Sequence, residues 1–309
     1  MEKFKDLKYE RPDLKKAKQD FSACCKQFGA AKTFEEADNA FLGFQRIMES
    51  VTTQNTIASI RNTMNMKDEF YDAEIKFFNR EMPKLMMTLK KAVKAVLASP
   101  FRPQLEEKYG SHMFKDFEVQ QRLIKLTTVL PSIRENDLTT EYSKTAAACS
   151  VEFMGEKCNF YGLLRHMQST DREERKAAFE AWAKLYEDVS GKLDAQYAKL
   201  VKTRCTIAKR LGFKSYIDYV YLARGRYDYD AQKVAEFREA VRKYITPLCD
   251  RLFREQAGRL GIEKLEWYDE SLTILTATHC PSDRRKNLPK KRVRCTKRCL
   301  PRPASSLTL

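Results

Sequence analysis

The sequence predicts a mainly α-helical chain, a multi-helix bundle that carries one small β-hairpin. Apolar residues recur at steps of three and four through long windows, the period of a helix with one buried face. Two of these windows open on a threonine followed three residues later by glutamate, at Thr33 and Thr170, the pattern of a capping box. Strand-like alternation is confined to one short stretch near Val151.

Behind Thr33-Phe34-Glu35-Glu36, a stripe of Ala37, Ala40, Phe41, Phe44, Ile47, Met48 and Val51 marks the first strong helix. Ile57, Ile60 and Met64 extend its pattern by a further turn or two. A third stretch, from about Lys67 to Ala98, is rich in Phe, Met, Leu and Ala, and Pro83 is expected to kink or split it. Ser99-Pro100 and Arg102-Pro103 should stop it. Two more helices are expected over Lys115–Val129 and Leu138–Ala148, parted near Pro131. Cys149–Phe153 then alternates, Met154-Gly155-Glu156-Lys157 supplies a turn, and Cys158–Phe160 can return as the second strand. From Thr170-Asp171-Arg172-Glu173 a long helix should bury Ala178, Trp182, Leu185, Val189, Leu193, Tyr197 and Leu200 and run to Arg210, with Gly212 as its left-handed cap. Asp230 caps a last helix carrying Val234, Phe237, Val241, Tyr244, Leu248 and Leu252.

The formal charge is +16, an invitation to nucleic acid if it were spread over one face. It is not: Ile274–Leu309 holds ten Lys and Arg against one acid, more than half the excess in the last stretch of chain. Cys280, Cys295 and Cys299 crowd the same tail, with four of the ten prolines and no glycine. The other cysteines, Cys24, Cys25, Cys149, Cys158, Cys205 and Cys249, are scattered as reduced thiols in a cytosolic protein would be. With mean hydropathy −0.59, no apolar run of membrane-spanning length and a charged amino end, the expected location is the cytoplasm, with no membrane partner.

Catalytic constellations are missing from the sequence. The histidines are His112, His166 and His279, none four residues from another, and no H-E-x-x-H occurs. His112 follows Gly110-Ser111 and reads as a loop residue; His166, just before a helix start, reads as a partly buried packing histidine. Glycine-rich phosphate loops and G-x-S-x-G are absent, and Glu35/Glu36, Glu106/Glu107 and Glu173/Glu174 diverge on a helix as neighbours do. No catalytic, cofactor-binding or metal-ligating residue is assigned. The most unusual stretch is Tyr216–Tyr229, where tyrosines and arginines interleave; they suit base stacking or a peptide clamp, but helix packing followed by a turn at Gly225 is the favoured explanation.

Leu211-Gly212-Phe213-Lys214-Ser215-Tyr216 and Tyr221-Leu222-Ala223-Arg224-Gly225-Arg226-Tyr227-Asp228-Tyr229 resemble the opening of the catalytic domain in the oligoendopeptidase F family, relatives of thimet oligopeptidase. Phe4–Pro12 and Met167–Lys176 are similar to other parts of that family, and the resemblance runs from about residue 1 to Thr273. It implies a helical, two-lobed zinc endopeptidase whose deep channel admits short unstructured peptides. It also implies a zinc held by two histidines and a more distant glutamate, with the motif glutamate activating water; all of these would lie downstream, so none is carried onto this chain and zinc is expected only in the intact family.

On that reading the organisation is a helical region over 1–135, a hairpin plus long helix of the family's N-terminal type over 136–210, a truncated beginning of the catalytic domain over 211–273, and a basic tail over 274–309. The tail resembles an out-of-frame reading: family members continue past Trp267-Tyr268-Asp269-Glu270 with something like F-P-D-G-N, and one alternative frame across Leu275 onward gives PDGN and then an amphipathic, stop-free helix. The chain is thus expected to be inactive alone, with unpaired apolar surface that favours aggregation or chaperone binding. The alternatives are a non-enzymatic peptide- or partner-binding helical protein, and a nucleic-acid binder acting through Lys290, Lys291, Arg292, Arg294, Lys297 and Arg298, with His279, Cys280, Cys295 and Cys299 as soft metal donors; nucleic acid is not the expected partner.

Overall fold

Helix follows helix along the chain in a computed structural model that describes residues 3–272. The charged tail and its frame reading therefore lie outside the described residues. Two units are distinguished: Met1–Val151 with Lys184–Tyr244, and Glu152–Ala183 with the chain from Ile245 onward.

In the first unit α1 (Leu14–Ala30) starts at Asp13, whose carboxylate accepts from the amides of Lys15 and Lys16, each at 2.9 Å. It packs on α2 (Phe34–Met64) and α3 (Glu69–Leu97). Phe21, Phe28, Phe41, Phe44, Leu85 and Val96 form the centre of their common core, joined by Leu105 and Phe114 from α4 (Arg102–Tyr109) and α5 (Ser111–Leu123). Each such side chain contributes about 1.5–3 kcal/mol by leaving water. Thr33 accepts from the Glu36 amide at 3.3 Å, while Glu36 reaches back to the amide of Lys32, one residue before the expected capping-box partner. Helix α2 continues unbroken to Met64, although Ile60 and Met64 face solvent.

The prolines required correction. Pro83 lies inside α3 without splitting it. A proline has no amide to give the carbonyl four residues back, here that of Asn79. Asn136 Nδ2, from α6 (Val129–Ala148), donates to that carbonyl at 3.4 Å, and Asn79 Nδ2 donates to Thr140 Oγ1 at 3.0 Å. Helix α3 ends at Leu97, before Ser99-Pro100 and Arg102-Pro103 as expected; Pro103 then sits at the start of α4 and Pro131 in the first turn of α6, where amides have no intrahelical acceptor to lose. The break expected at Pro131 falls instead at Ile124–Thr128.

The hairpin pairs β1 (Val151–Phe153) with β2 (Glu156–Cys158). Met154 and Gly155 have φ of 50° and 78°, the two positive values of a tight turn matched to strand twist. That two-residue turn makes Glu156 the first returning residue, so the second strand lies earlier than Cys158–Phe160. Phe160 already begins α7 (Phe160–His166), with Asn159 Oδ1 accepting from the Gly162 amide at 2.9 Å.

Helix α8 (Arg172–Leu211) starts from Asp171, whose Oδ1 accepts from the Glu173 amide at 3.0 Å, rather than from Thr170. Ala178, Leu185 and Leu200 are buried as expected, but Tyr197 is 66% exposed. The second unit also contains α11 (Thr246–Leu260) and a short 3-10 turn at Trp267–Asp269. Asp269 is fully buried and accepts from Arg175 Nη2 at 2.7 Å and from Arg172 Nη2 at 2.8 Å. Gln256 Nε2 spans three carbonyls of the following segment, those of Asp269, Glu270 and Leu272. Among the described residues no helix is long and apolar enough to cross a membrane.

Candidate functional site

Gly212 ends α8 with φ of 90°; its amide donates to Lys209 O and that of Phe213 to Ala208 O, both at 3.0 Å. This left-handed cap turns the chain so that Phe213 folds back onto Ile207, Ala208 and Leu211. Ser215 Oγ then accepts from the Asp218 amide and opens α9 (Tyr216–Ala223). The same capping arrangement recurs at Gly225, with Gly225 donating to Leu222 O and Arg226 to Tyr221 O. Helix α9 and the turn behind it therefore match the packing reading of this stretch.

What remains on the solvent side is a groove of about 530 Å³ lined by Lys115, Ile217, Tyr221, Arg226 and Tyr229. The Arg226 guanidinium lies over Tyr221 and Tyr229, 5.1 and 6.0 Å from their ring centroids, and the two rings meet edge to face. Tyr227 donates to Asp116 Oδ1 at 2.6 Å. Burial first, and then this bond to a carboxylate, push the Tyr227 phenol up to about 12, so it stays protonated and fixed. Arg204 pairs with Glu135 at 2.7 Å beneath Tyr216 and Tyr219, whose phenols burial also raises. The rim sets Lys115, Arg226 and Lys233 against Asp218, Asp228 and Asp230, with Tyr221 and Tyr229 as its aromatic surfaces. Such a rim can hold an extended peptide by stacking and by hydrogen bonds to carbonyls or a terminal carboxylate.

The α5 side of this groove escaped the sequence reading. Lys115, Asp116 and His112 share one helical face, a spacing visible in the sequence but without meaning until Tyr227 arrives from far along the chain. His112 lies in the first turn of α5 and not in a loop; it is exposed, with its ring 5.7 Å from that of Tyr227. His166 ends α7, largely buried against Phe153, with Nδ1 2.7 Å from Glu174 Oε1. His279 lies outside the described residues. With no second imidazole one turn from His112 or His166, these residues do not fit a two-histidine peptidase zinc, and no hydrolytic step is derived through one.

Residues 4–124 match the family model of the peptidase M3 N-terminal domain, and residues 165–275 match that of peptidase family M3. A solved structure of PZ peptidase A with an inhibitor aligns with 33% identity and a TM-score of 0.89, over 96% of this chain and 53% of that one. A candidate oligoendopeptidase F from Bacillus anthracis str. Ames aligns with 32% identity and a TM-score of 0.87, over 95% of this chain and 54% of that one. Oligoendopeptidase-F from Enterococcus faecium shares the fold at 16% identity and a TM-score of 0.62, over 86% of this chain and 56% of that one. The chain spans about half the length of these solved relatives. No curated protein matches it.

Proposed function

The chain belongs to peptidase family M3, and from that membership we propose that it is the N-terminal half of a zinc-dependent oligoendopeptidase, supplying peptide-binding surface but not the metal centre. The observation that carries this is the pair of family matches, in order along the chain, in a sequence that has no H-E-x-x-H. The Arg226, Tyr221 and Tyr229 rim would contact short peptides, and a cytoplasmic location suits the reduced thiols. Purified chain should show no chelator-sensitive cleavage of an internally quenched peptide; such cleavage would falsify the proposal.

The tail belongs to the same proposal as a shifted reading frame. Resequencing the gene across the codons for Leu272–Thr278 and beyond should reveal an open alternative frame that reaches H-E-x-x-H. An intact frame with no such motif downstream would make the basic tail a real module.

A second reading, a non-catalytic partner-binding protein, rests on exposed apolar side chains. On α10 (Ala231–Ala240) Phe237 is 68% exposed, and on α11 Leu248, Leu252 and Phe253 are also open to solvent. A half enzyme with such faces should aggregate or be held by chaperones, whereas a stable monomer at high concentration would favour the independent module.

A further inference from the structure

We propose that Glu156, Cys158 and His166 form a binding site for one divalent metal ion of the zinc class. Each offers one ligand atom, and these atoms all lie within 4.8 Å of one another. Around a tetrahedral zinc, a thiolate sulfur and an imidazole nitrogen would sit about 3.6 Å apart, given ordinary Zn–S and Zn–N lengths. Closing the observed spacing takes a side-chain adjustment, not a rearrangement of backbone.

The state of His166 is the strongest argument. The Ser169 hydroxyl donates to Glu174 Oε2 at 2.5 Å, and the other oxygen of that carboxylate faces the His166 ring. His166 Nδ1 lies 2.7 Å from Glu174 Oε1, so a carboxylate occupies that side of the ring. The other nitrogen, Nε2, is buried and has no hydrogen-bond partner among the described residues. A carboxylate on one ring nitrogen with a free lone pair on the other is the orientation that metal-bound histidines adopt. A packing histidine has no use for an unsatisfied buried nitrogen, which costs about 1–3 kcal/mol.

Cys158 supplies the soft donor. It is buried at the end of β2, and α7 comes so close that a Cβ on Gly162 would lie 3.3 Å from its sulfur. Glu156 is exposed and gives one oxygen to Arg165, leaving the other for a metal. Binding would expel the thiol proton of Cys158 to solvent and form a metal–thiolate bond. The ion would tie the hairpin to α7. The donor set differs from that of a family hydrolase, since it has a thiolate and lacks a second histidine.

The test uses the full chain with C280S, C295S and C299S, so that tail thiols cannot contribute. Cobalt(II) titration should give a near-ultraviolet thiolate charge-transfer band saturating at one ion per chain and displaced by zinc. Cys158→Ser should abolish that band. Glu156→Gln, a surface change that leaves folding intact, should weaken cobalt binding at least tenfold. Glu174→Gln should weaken it by roughly 10–100-fold while keeping the band, as expected of a positioning residue. A chain that gives no thiolate band, or a band that survives Cys158→Ser or is indifferent to Glu156→Gln, overturns the site.

Discussion

Helices α1–α3 and helices α10 and α11 are written in the same style, an apolar stripe at steps of three and four. On the first set Phe21, Phe41 and Phe44 are buried. On the second, Phe237 and Leu252 face solvent, and Tyr244 between the two helices is 65% exposed. The contrast teaches that a stripe records that a face is to be covered without saying by what. For α1–α3 the cover is local sequence. On α10 and the start of α11 the stripe stays open among the described residues, whereas the end of α11 buries Ala257 and Leu260.

Substitutions can break or sharpen that contrast. Phe21→Ala should cost about 3–5 kcal/mol, because a ring leaves a closed core, and would be read as a lowered denaturant midpoint. Asp269→Ala should cost about 3 kcal/mol, since it strands the buried Arg175 guanidinium. Burial alone would raise the Asp269 carboxyl, but the hydrogen bonds from Arg172 and Arg175 outweigh it and hold the carboxyl below the ordinary aspartate range. Its stabilisation is therefore complete above about pH 4, the unfolded value, and is lost as pH falls through the folded one. Urea midpoints measured downward from pH 5 should fall more steeply in the parent than in Asp269→Asn.

Smaller effects probe the groove and the open face. Tyr227→Phe should cost about 1 kcal/mol, a single partly buried hydrogen bond, and remove the phenol that titrates near 12. A spectrophotometric titration that finds no tyrosine change on this substitution would contradict the Asp116 contact. Phe237→Ser should change stability by less than about 0.5 kcal/mol, in contrast with Phe21, while reducing self-association seen by light scattering. If Phe237→Ser were as costly as Phe21→Ala, the two regions would not differ after all.

Much of the fold was legible from the sequence because its signals are local. Thr33 and Asp230 cap where their side chains can reach amides three residues on, and Gly212 and Gly225 adopt the left-handed turns that glycine permits. Prolines misled because their effect depends on where the helix starts and on distant donors. Pro131 is tolerated in a first turn, and the carbonyl that Pro83 leaves without its amide accepts from Asn136 instead. At the groove, Tyr221, Arg226 and Tyr229 were visible as an odd composition, but Lys115 and Asp116 were not, since α5 lies more than a hundred residues earlier. The pairing of His166 with Glu174 escaped for the opposite reason: its partners are near in sequence, but a histidine's tautomer is fixed only by which of its nitrogens finds a carboxylate.

The Asn79–Asn136 contact also bears on the order in which the chain assembles. Helix α3 has a missing rung at Pro83, and the donor that mends it sits on α6, 57 residues after the Asn79 carbonyl. A nascent chain that has emerged only as far as Leu97 holds all of α3 but not its repair, so the helix should fray around Asn79–Pro83 until α6 docks. Only one alignment of α3 against α6 places Asn136 on that carbonyl while Thr140 meets Asn79. The proline thus acts as a key that selects the register of two helices and delays the closing of one until the other is made.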